Sequence, residues 1–375
     1  MGAARVAAMT AIAALAIALG GCTSSADMLA NPPDSPFVLT GVTGVEQLQQ
    51  LTGPVADSPN ATDQYAVHGT DLGSMFQYED KTWFVFGDTF GEREGVVGGG
   101  GSFWRSNTMG YTSDTDPSDG ITLDGMILDD ATGAAAELLP SKKIDNDEMT
   151  VIPTHGFAAN DAMYLHWMSV RHWGAPGEWE VNDAGLATST DDGKTWTVLD
   201  EPRWDGESPF VQVAPAHVTE DGTDWIYFWG ITHGRFGGAS LMKVPATEVE
   251  TQDAYLYFSG TDSAGEPQWS EAVDDAALVV NDTVGELSVV WNDHLDRWLM
   301  TYLKEGTGVV MREGITPWGP WGDAIDVLTM GEQPGTYGPF MAEHMVADGG
   351  KTIYFTLSIW DPYNVFWYKA ELSRD

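Results

Sequence analysis

The fold of this chain can be inferred from the run Thr82-Trp83-Phe84-Val85-Phe86, which ends at the turn-forming residues Gly87 and Asp88. Aromatic and β-branched residues are enriched in strands, and a short apolar run bounded by turn residues is typical of a buried strand. Similar runs follow further along the chain, at Ala162–Met168, Asp224–Trp229, Arg297–Tyr302 and Lys351–Ser358. The first run therefore belongs to a repeat rather than to an isolated hairpin.

The five runs begin roughly 50 to 80 residues apart, which is longer than a usual β-propeller repeat and fits blades with long loops on one face. We interpret each run as the same inner strand of a blade, followed by a second strand. Helical periodicity is nearly absent, with Val45–Leu51 and Asp275–Val279 as short candidate helices. The pattern predicts an all-β, five-bladed β-propeller in a single domain. A β-sandwich is the alternative, because strand alternation is common to both folds.

The segment Ser189-Thr190-Asp191-Asp192-Gly193-Lys194-Thr195-Trp196 supports the propeller independently. It resembles the Asp-box, a hairpin motif of sialidase-like and related β-propellers. In that motif an Asp side chain closes the turn, the Gly takes a positive φ angle and the Trp packs between neighbouring sheets. We therefore predict a structural role, not a catalytic one, for Asp191 and Asp192.

The N-terminus has the features of a bacterial lipoprotein signal. Arg5 precedes an uncharged run from Val6 to Leu19, and the segment ends as Leu19-Gly20-Gly21-Cys22. The run is shorter than the roughly 20 apolar residues of a transmembrane helix, and its ending fits a lipobox with lipidation of Cys22, the only cysteine in the sequence. We predict a signal peptide over residues 1–21 and a lipidated, flexible tether over residues 22–36. The protein would then be anchored at the extracellular face of the cell membrane.

The chain is strongly acidic, with 17 Lys and Arg against 56 Asp and Glu and a formal net charge of −39. This acidity argues against a nucleic-acid partner, because the phosphate backbone is itself anionic. It suits a neutral or cationic substrate better than an anionic one. No Pro/Ser-rich linker interrupts the chain after residue 64, so residues 37–375 are predicted to form one domain. We expect a monomer.

Two aspartates in glycine-flanked blocks are the strongest candidates for chemistry. They lie in Gly69-Thr70-Asp71-Leu72-Gly73 and in Phe86-Gly87-Asp88-Thr89-Phe90-Gly91. Asp71 opens one predicted strand and Asp88 ends the next, so an antiparallel hairpin brings both carboxylates to the same rim of the sheet. A pair of carboxyl groups with different pKa values suits glycoside hydrolysis. The residues alone leave open the alternative that both are turn aspartates.

These two blocks, together with Trp104-Arg105-Ser106-Asn107, resemble the domain-of-unknown-function family 4185, which is also classified as glycoside hydrolase family 183. The similarity extends over nearly all the chain from about Phe37 to the C-terminus. Members of that family are five-bladed propellers, and they include endo-acting D-arabinofuranosidases that cut the α-linked D-arabinan of mycobacterial arabinogalactan and lipoarabinomannan. The resemblance implies that Asp71 and Asp88 are the catalytic pair and that the Trp-Arg-Ser-Asn block lines the same cleft. The insert Glu92–Ser102, with its run of glycines, is expected to be a flexible loop beside the site.

Several side chains near these blocks or at strand ends are candidates for substrate binding: Trp104, Arg105, Asn107, Trp167 and Glu286. Arg105 and Asn107 are expected to hold sugar hydroxyls, with the alternative that Arg105 neutralises Asp88. Glu286 is a candidate third carboxylate of the cleft or else a solvated strand-end residue. Trp167 is a candidate sugar-stacking platform, as are Trp229 and Trp291, although most of the 16 tryptophans are expected to pack between blades.

The sequence predicts no metal or cofactor. No His/Glu spacing of the zinc type occurs, and His344 is expected to be a buried, hydrogen-bonded histidine rather than the ligand of a cation in the central channel. The Asp-rich loop Asp114–Asp119 is a candidate structural calcium site, but such loops equally resemble ordinary turns.

Taken with the resemblance, these features predict a membrane-anchored glycoside hydrolase that cleaves internal α-D-arabinofuranosyl linkages of D-arabinan with an aspartate pair. The alternative function is a non-catalytic carbohydrate-binding propeller of the cell surface. L-arabinan and galactofuranan are alternative substrates. The roles of the two aspartates and the stereochemical outcome stay open, because the outcome depends on the separation of the two carboxyl groups.

Overall fold

The computed structural model describes residue 28, residues 36–55 and residues 59–375, and these residues form five antiparallel sheets. The innermost strands of neighbouring sheets pack against one another around a closed ring, so the sheets are the blades of a propeller. The prediction of an all-β, five-bladed β-propeller is confirmed. Within the described residues the helical segments are short 3-10 turns, at Thr62–Tyr65, Pro117–Asp119, Ala246–Glu248, Gln252–Ala254, Val273–Asp275 and Asp348–Gly350.

The strands, numbered in chain order, are β1 (Leu39–Gln50), β2 (Leu72–Tyr78), β3 (Lys81–Phe86), β4 (Thr108–Thr112), β5 (Gly125–Met126), β6 (Thr150–Ala159), β7 (Ala162–Trp173), β8 (Trp179–Ser189), β9 (Thr197–Asp205), β10 (Gln212–Glu220), β11 (Thr223–Ile231), β12 (Ala239–Pro245), β13 (Leu256–Thr261), β14 (Pro267–Ser270), β15 (Leu278–Val280), β16 (Leu287–Asn292), β17 (Arg297–Lys304), β18 (Gly308–Gly314), β19 (Ile325–Thr329), β20 (Thr336–Ala347), β21 (Thr352–Ile359) and β22 (Asn364–Arg374). Blade 1 is β2 to β5, blade 2 is β6 to β9, blade 3 is β10 to β15, and blade 4 is β16 to β19. Blade 5 is made of β20, β21, β22 and β1.

The apolar runs in the sequence are the second strand of each blade, not the innermost one. They fall on β3, β7, β11, β17 and β21, whereas β2, β6, β10, β16 and β20 line the central axis. The prediction of a recurring strand in each blade is right. The prediction that this strand is the innermost one is wrong, because it is the second strand from the central axis. The second strand is covered on both faces by neighbouring blades, so it carries the most continuous apolar pattern.

The ring is closed by the pairing of the two ends of the described chain. Strand β1 pairs antiparallel with β22, from Leu39 opposite Arg374 to Gln50 opposite Phe366. The predicted helix Val45–Leu51 is therefore wrong, because most of that segment is strand. Register shifts between Thr43 and Glu46 and between Gln47 and Gln49 interrupt the strand alternation, and so apolar residues recur at a helix-like spacing.

The second candidate helix, Asp275–Val279, is also wrong. The 3-10 turn Val273–Asp275 ends where this segment begins, and strand β15 starts at Leu278 and pairs with β12. The segment begins with an acidic residue that is followed by apolar residues, and this sequence pattern is similar to the start of a helix.

Apolar contacts between blades form the core. Five clusters of buried side chains occur, and each lies mainly between two adjacent blades, as in the packing of Trp83 and Val85 of blade 1 with Met163 and Leu165 of blade 2. The Asp-box is the turn between β8 and β9. Asp191 Oδ1 accepts hydrogen bonds from Ser189 Oγ (2.8 Å) and from the Thr195 amide (2.9 Å), so its role is structural as predicted.

The predicted signal peptide and Cys22 lie outside the described residues, so both remain predictions. Residues 37–55 and 59–375 form the propeller. In the part of the chain that the structure describes, no helix has the length and apolar character needed to span a bilayer.

Candidate active site

The blade 1 hairpin brings Asp71 and Asp88 to one rim of the propeller. Asp71 comes directly before β2, Asp88 follows the end of β3, and Leu72 lies opposite Phe86 in the antiparallel pair. The Gly87 amide donates a hydrogen bond to the backbone oxygen of Asp71 (3.1 Å), which holds the two ends of the hairpin together. The hairpin therefore presents two carboxyl groups to the same space.

Asp71 lies in a confined environment. Tyr337 donates its hydroxyl to Asp71 Oδ2 (2.9 Å), and Oδ1 is buried. Oδ1 rests against Gly87, where a Cβ atom would lie only 2.4 Å from it, so a larger residue at this position would displace the carboxyl group. Burial and then the negative charge of Asp88 raise the pKa of Asp71 to about 7, despite the opposing hydrogen bonds from Tyr337 and Tyr363.

Asp88 is held more firmly through one oxygen. Its Oδ1 accepts hydrogen bonds from Trp104 Nε1 (2.8 Å) and from Thr150 Oγ1 (2.6 Å). Burial raises the pKa of Asp88 to about 6, although these two donors and the charge of Lys143 favour the ionised form. The second carboxylate oxygen, Oδ2, is left for a ligand.

Both aspartates open into a cavity of about 820 Å³ at the front of the propeller. All five blades or their loops contribute to its walls, including Met149 and Trp179 from blade 2, Arg235 from blade 3 and Glu286 from blade 4. Its size is within the range of small-molecule and sugar sites. Two carboxyl groups with raised pKa values in one cavity are the feature expected of an acid–base site.

Glu286 also lines this cavity, as an ion pair with Arg235. Arg235 binds the carboxylate through Nε (3.1 Å to Oε1) and through its terminal amino group (2.8 Å to Oε1). Glu286 is buried, so the proposal of a solvated strand-end residue does not hold. Arg235 was not predicted from the sequence. Its place in the Gly-rich loop between β11 and β12, in a chain with few basic residues, is the signal that could have identified it.

The Trp-Arg-Ser-Asn block divides between cavity and protein interior. Trp104 lines the cavity beside Asp88. Arg105 points the other way and donates to the backbone oxygens of Ala135 (3.0 Å) and Ala66 (2.5 Å), so it neither lines the cavity nor neutralises Asp88. The expectation that Arg105 binds substrate is thus not met, because alternation along an extended segment sends its side chain inward.

Asn107 is likewise structural. Its side chain amide donates to the backbone oxygens of Leu139 (2.7 Å) and Val151 (2.8 Å), and it is fully buried. Trp167 is buried beneath the Arg203 guanidinium, 4.5 Å from its ring, and does not line the cavity. Trp229 and Trp291 are buried between blades 3 and 4. None of these three tryptophans can act as a sugar-stacking platform, because no ring face is open to a ligand.

The insert Glu92–Ser102 is tied down rather than free. Arg93 donates from Nε to the Gly100 oxygen (2.8 Å) and from its terminal nitrogens to the oxygens of Gly98 and Pro362. Its guanidinium also lies 5.0 Å from the ring of Tyr363. The glycine run is thereby held as one wall of the cavity, which differs from the flexible loop that its composition suggests.

The two candidate cation positions, His344 and the loop Asp114–Asp119, form ordinary hydrogen bonds. His344 lies near the end of β20, and its Nε2 forms a hydrogen bond with Thr82 Oγ1 (2.7 Å). Burial lowers the pKa of His344 to about 4. In the loop Asp114–Asp119, Asp114 and Asp116 accept hydrogen bonds from nearby backbone amides, as turn residues do. Among the described residues, no three His, Cys, Asp or Glu side chains are grouped to hold a metal ion. The absence of a cofactor remains an expectation.

Solved structures that are similar to this chain include proteins described as hydrolases. A protein from Bacteroides ovatus, assigned as a hydrolase, has a TM-score of 0.55 and 12% identity over 88% of this chain and 93% of its own. A family 117 glycoside hydrolase from Zobellia galactanivorans has a TM-score of 0.47 and 12% identity, covering 89% and 91% of the two chains. The GH43_1 enzyme from Xanthomonas citri, complexed with xylotriose, has a TM-score of 0.46 and 13% identity, covering 84% and 93%.

At 12% identity, the similarity to the Bacteroides ovatus protein shows a similar fold and nothing more. This fold agrees with the five blades described above. No curated protein sequence matches the chain. The sequence pattern that defines the domain of unknown function DUF4185 matches residues 57–369, which is most of the chain, and the chain therefore belongs to the DUF4185 family.

Proposed function

We propose that this protein is a glycoside hydrolase that cleaves internal α-D-arabinofuranosyl linkages of D-arabinan. The observation that carries the proposal is the pair of buried carboxyl groups, Asp71 and Asp88, on one rim of an open cavity. Their pKa values, about 7 and about 6, lie where one of them can hold a proton while the other is ionised. Glycoside hydrolysis needs one carboxyl group in each of these two states.

We assign the proton to Asp71. The negative charge of Asp88 adds to burial in raising the pKa of Asp71, whereas two hydrogen bonds and the positive charge of Lys143 favour the anion of Asp88. Asp71 would give its proton to the glycosidic oxygen as the bond to the anomeric carbon breaks. Ionised Asp88 would then either take a proton from the attacking water or attack the anomeric carbon itself.

The choice of D-arabinan rests on the resemblance of the three sequence blocks to endo-D-arabinofuranosidases. The site itself favours an uncharged sugar, because its carboxylates outnumber the single arginine that lines it and would repel an anionic substrate. The Glu286 and Arg235 pair adds a fixed set of hydrogen-bonding atoms near the aspartates, suited to the hydroxyl groups of a furanose. L-arabinan and galactofuranan offer similar hydroxyl groups and are the alternatives to test.

The direct test is to incubate the full-length protein with mycobacterial arabinogalactan and to separate the released oligosaccharides. We expect soluble D-arabino-oligosaccharides from the wild type and at least about a 100-fold lower rate from Asp71→Asn and from Asp88→Asn, because neither amide can transfer a proton. L-arabinan and galactofuranan are run in parallel to define the substrate. Asp191→Asn is a suitable control, since this aspartate closes the Asp-box turn away from the cavity. Undiminished release by both active-site variants would exclude the aspartate pair.

We also propose that the protein is exported and attached to the outer face of the membrane through Cys22. The signal-like segment before Cys22 and the absence of any other cysteine in the sequence support this location. Arabinan is an extracellular polymer, so this location would place the site beside its substrate. Labelling of growing cells with an alkyne fatty acid should mark the wild type and not Cys22→Ala. Equal labelling of both would contradict the anchor.

A further inference from the structure

Two tryptophans at the rim of the cavity are exposed, unlike the tryptophans buried between the blades. Trp173 is 38% exposed and Trp360 is 51% exposed, and both line the cavity that holds Asp71 and Asp88. Large aromatic side chains of this kind are usually buried, so their exposure at a ligand cavity is informative.

The two tryptophans come from the two blades that flank the blade with the aspartates. Trp173 ends β7 in blade 2, and Trp360 follows β21 in blade 5. Blade 2 and blade 5 are the two neighbours of blade 1 in the ring. A ligand that touched both rings would therefore span the cavity that Asp71 and Asp88 line.

Each ring is held in place by its surroundings. Trp173 lies opposite Trp179 in the β7–β8 hairpin, with the two rings edge to face at 5.7 Å. Trp360 makes a similar contact with Tyr363 at 5.7 Å, and its ring also lies against Gly98, where a Cβ atom would be 2.2 Å from it. A fixed ring loses little conformational entropy when a ligand stacks on it.

We propose that Trp173 and Trp360 are sugar-stacking platforms that hold one polysaccharide chain on both sides of the catalytic pair. This inference rests on the proposed glycosidase function. The apolar face of a furanose ring matches the face of an indole, and such a contact adds no charge to a site that is already acidic. Contacts on both sides of the scissile bond would explain cleavage within a chain rather than at its end.

The platforms can be tested through binding, without any cleavage. In the Asp88→Asn protein we would measure the affinity for a long linear α-D-arabinofuranosyl oligosaccharide by calorimetry, and then add Trp173→Ala or Trp360→Ala. We expect each added substitution to weaken binding roughly tenfold, and Trp→Phe at the same position to restore most of it. Phe37→Ala is the matched control, because Phe37 is 46% exposed but does not line the cavity.

A cleavage assay then separates the two proposals. In the otherwise wild-type protein, the loss in kcat/KM for Trp173→Ala and Trp360→Ala should be larger on the long oligosaccharide than on a short one, with melting temperatures close to the wild type. If Trp173→Ala and Trp360→Ala bound and cleaved the long oligosaccharide as well as the Phe37→Ala control does, the proposal of stacking platforms would be wrong. Absence of cleavage by the wild type, with binding that still depends on both tryptophans, would instead contradict the glycosidase function and leave the platforms in place.

Discussion

At the scale of single residues, the two aspartates differ in the charges that surround them. Asp88 accepts hydrogen bonds from Trp104 and Thr150 and lies near the positive charge of Lys143. Asp71 accepts hydrogen bonds from two tyrosines, but the negative charges of Asp88 and Glu286 add to its burial. A hydrogen bond to the charged form lowers a carboxyl pKa, and burial raises it. The asymmetry therefore assigns the shared proton to Asp71.

Tyr337→Phe tests this assignment through the pH dependence of kcat/KM. The Tyr337 hydroxyl lowers the pKa of Asp71, so its removal should raise that pKa further above 7. If Asp71 is the proton donor, the basic limb of the profile moves to higher pH. Tyr368→Phe, whose hydroxyl binds Gln47 on the outer edge of blade 5, should leave the profile unchanged. Movement of the acidic limb instead would make Asp71 the base.

Asp71→Asn tests the burial of that carboxyl group without any substrate. The pKa of Asp71 is raised from 3.8 to about 7 on folding, so the folded state binds the proton more tightly, and the stability that this provides is lost as the pH rises from about 4 towards 7. The amide carries no charge at any of these pH values. We expect Asp71→Asn to melt at a higher temperature than the wild type at pH 8, with a smaller difference at pH 5. An equal difference at both pH values would contradict the raised pKa.

At the scale of elements, short sequence patterns predict individual hairpins and strands well. They do not predict contacts between residues that are far apart in the sequence. The Asp-box hairpin and the second strand of each blade were readable from a few adjacent residues. Tyr337, by contrast, contacts Asp71 across 266 residues of sequence, and Arg235 reaches Glu286 from a different blade. The block from Trp104 to Asn107 shows the same limit, because an aligned motif does not reveal which of its side chains faces the cavity.

Gly98→Ala tests the wall formed by the loop Glu92–Ser102. Gly98 has a φ angle of +68° and touches the Trp360 ring, so an alanine there should displace the ring and reduce cleavage of long D-arabinan. Gly95→Ala is the matched control in the same loop. Gly95 has a φ angle of +73° but no atom within 4 Å of an added Cβ, so it has the same backbone cost of about 1 kcal/mol without the contact. Equal activity of the two variants would show that the contact with Trp360 is not needed.

At the scale of the whole molecule, the ring depends on strand β1. This strand completes the sheet of blade 5 and supplies Leu39 to the core between blades 4 and 5. The apolar residues of β1 have a helix-like spacing, so the sequence pattern predicts a helix there. The pairing of β1 with β22 at the other end of the chain is a long-range contact that no local pattern shows. The five-bladed repeat itself was predictable, since each blade repeats the same apolar strand.

Truncation tests the closure of the ring. A chain that begins at Pro36 keeps β1 and should melt close to the full-length protein. A chain that begins after Gln50 leaves the edge of β22 unpaired, and we expect its melting temperature to fall by roughly 10 °C or more, with aggregation through that edge. Thermal unfolding followed by circular dichroism makes the comparison. Equal melting temperatures would mean that blade 5 is stable with three strands.

In the proposed function, Asp71 and Asp88 perform chemistry on a polysaccharide rather than merely bind it. The most direct measurement is the rate of oligosaccharide release from arabinogalactan by Asp71→Asn, set beside the affinity of the same protein for that polysaccharide. We predict that release falls by at least about 100-fold while affinity stays within a few-fold of the wild type, because the amide still forms hydrogen bonds but has no proton to give. A wild type that binds without releasing any oligosaccharide, with affinity lost in Asp71→Asn, would contradict the claim and identify a carbohydrate-binding propeller.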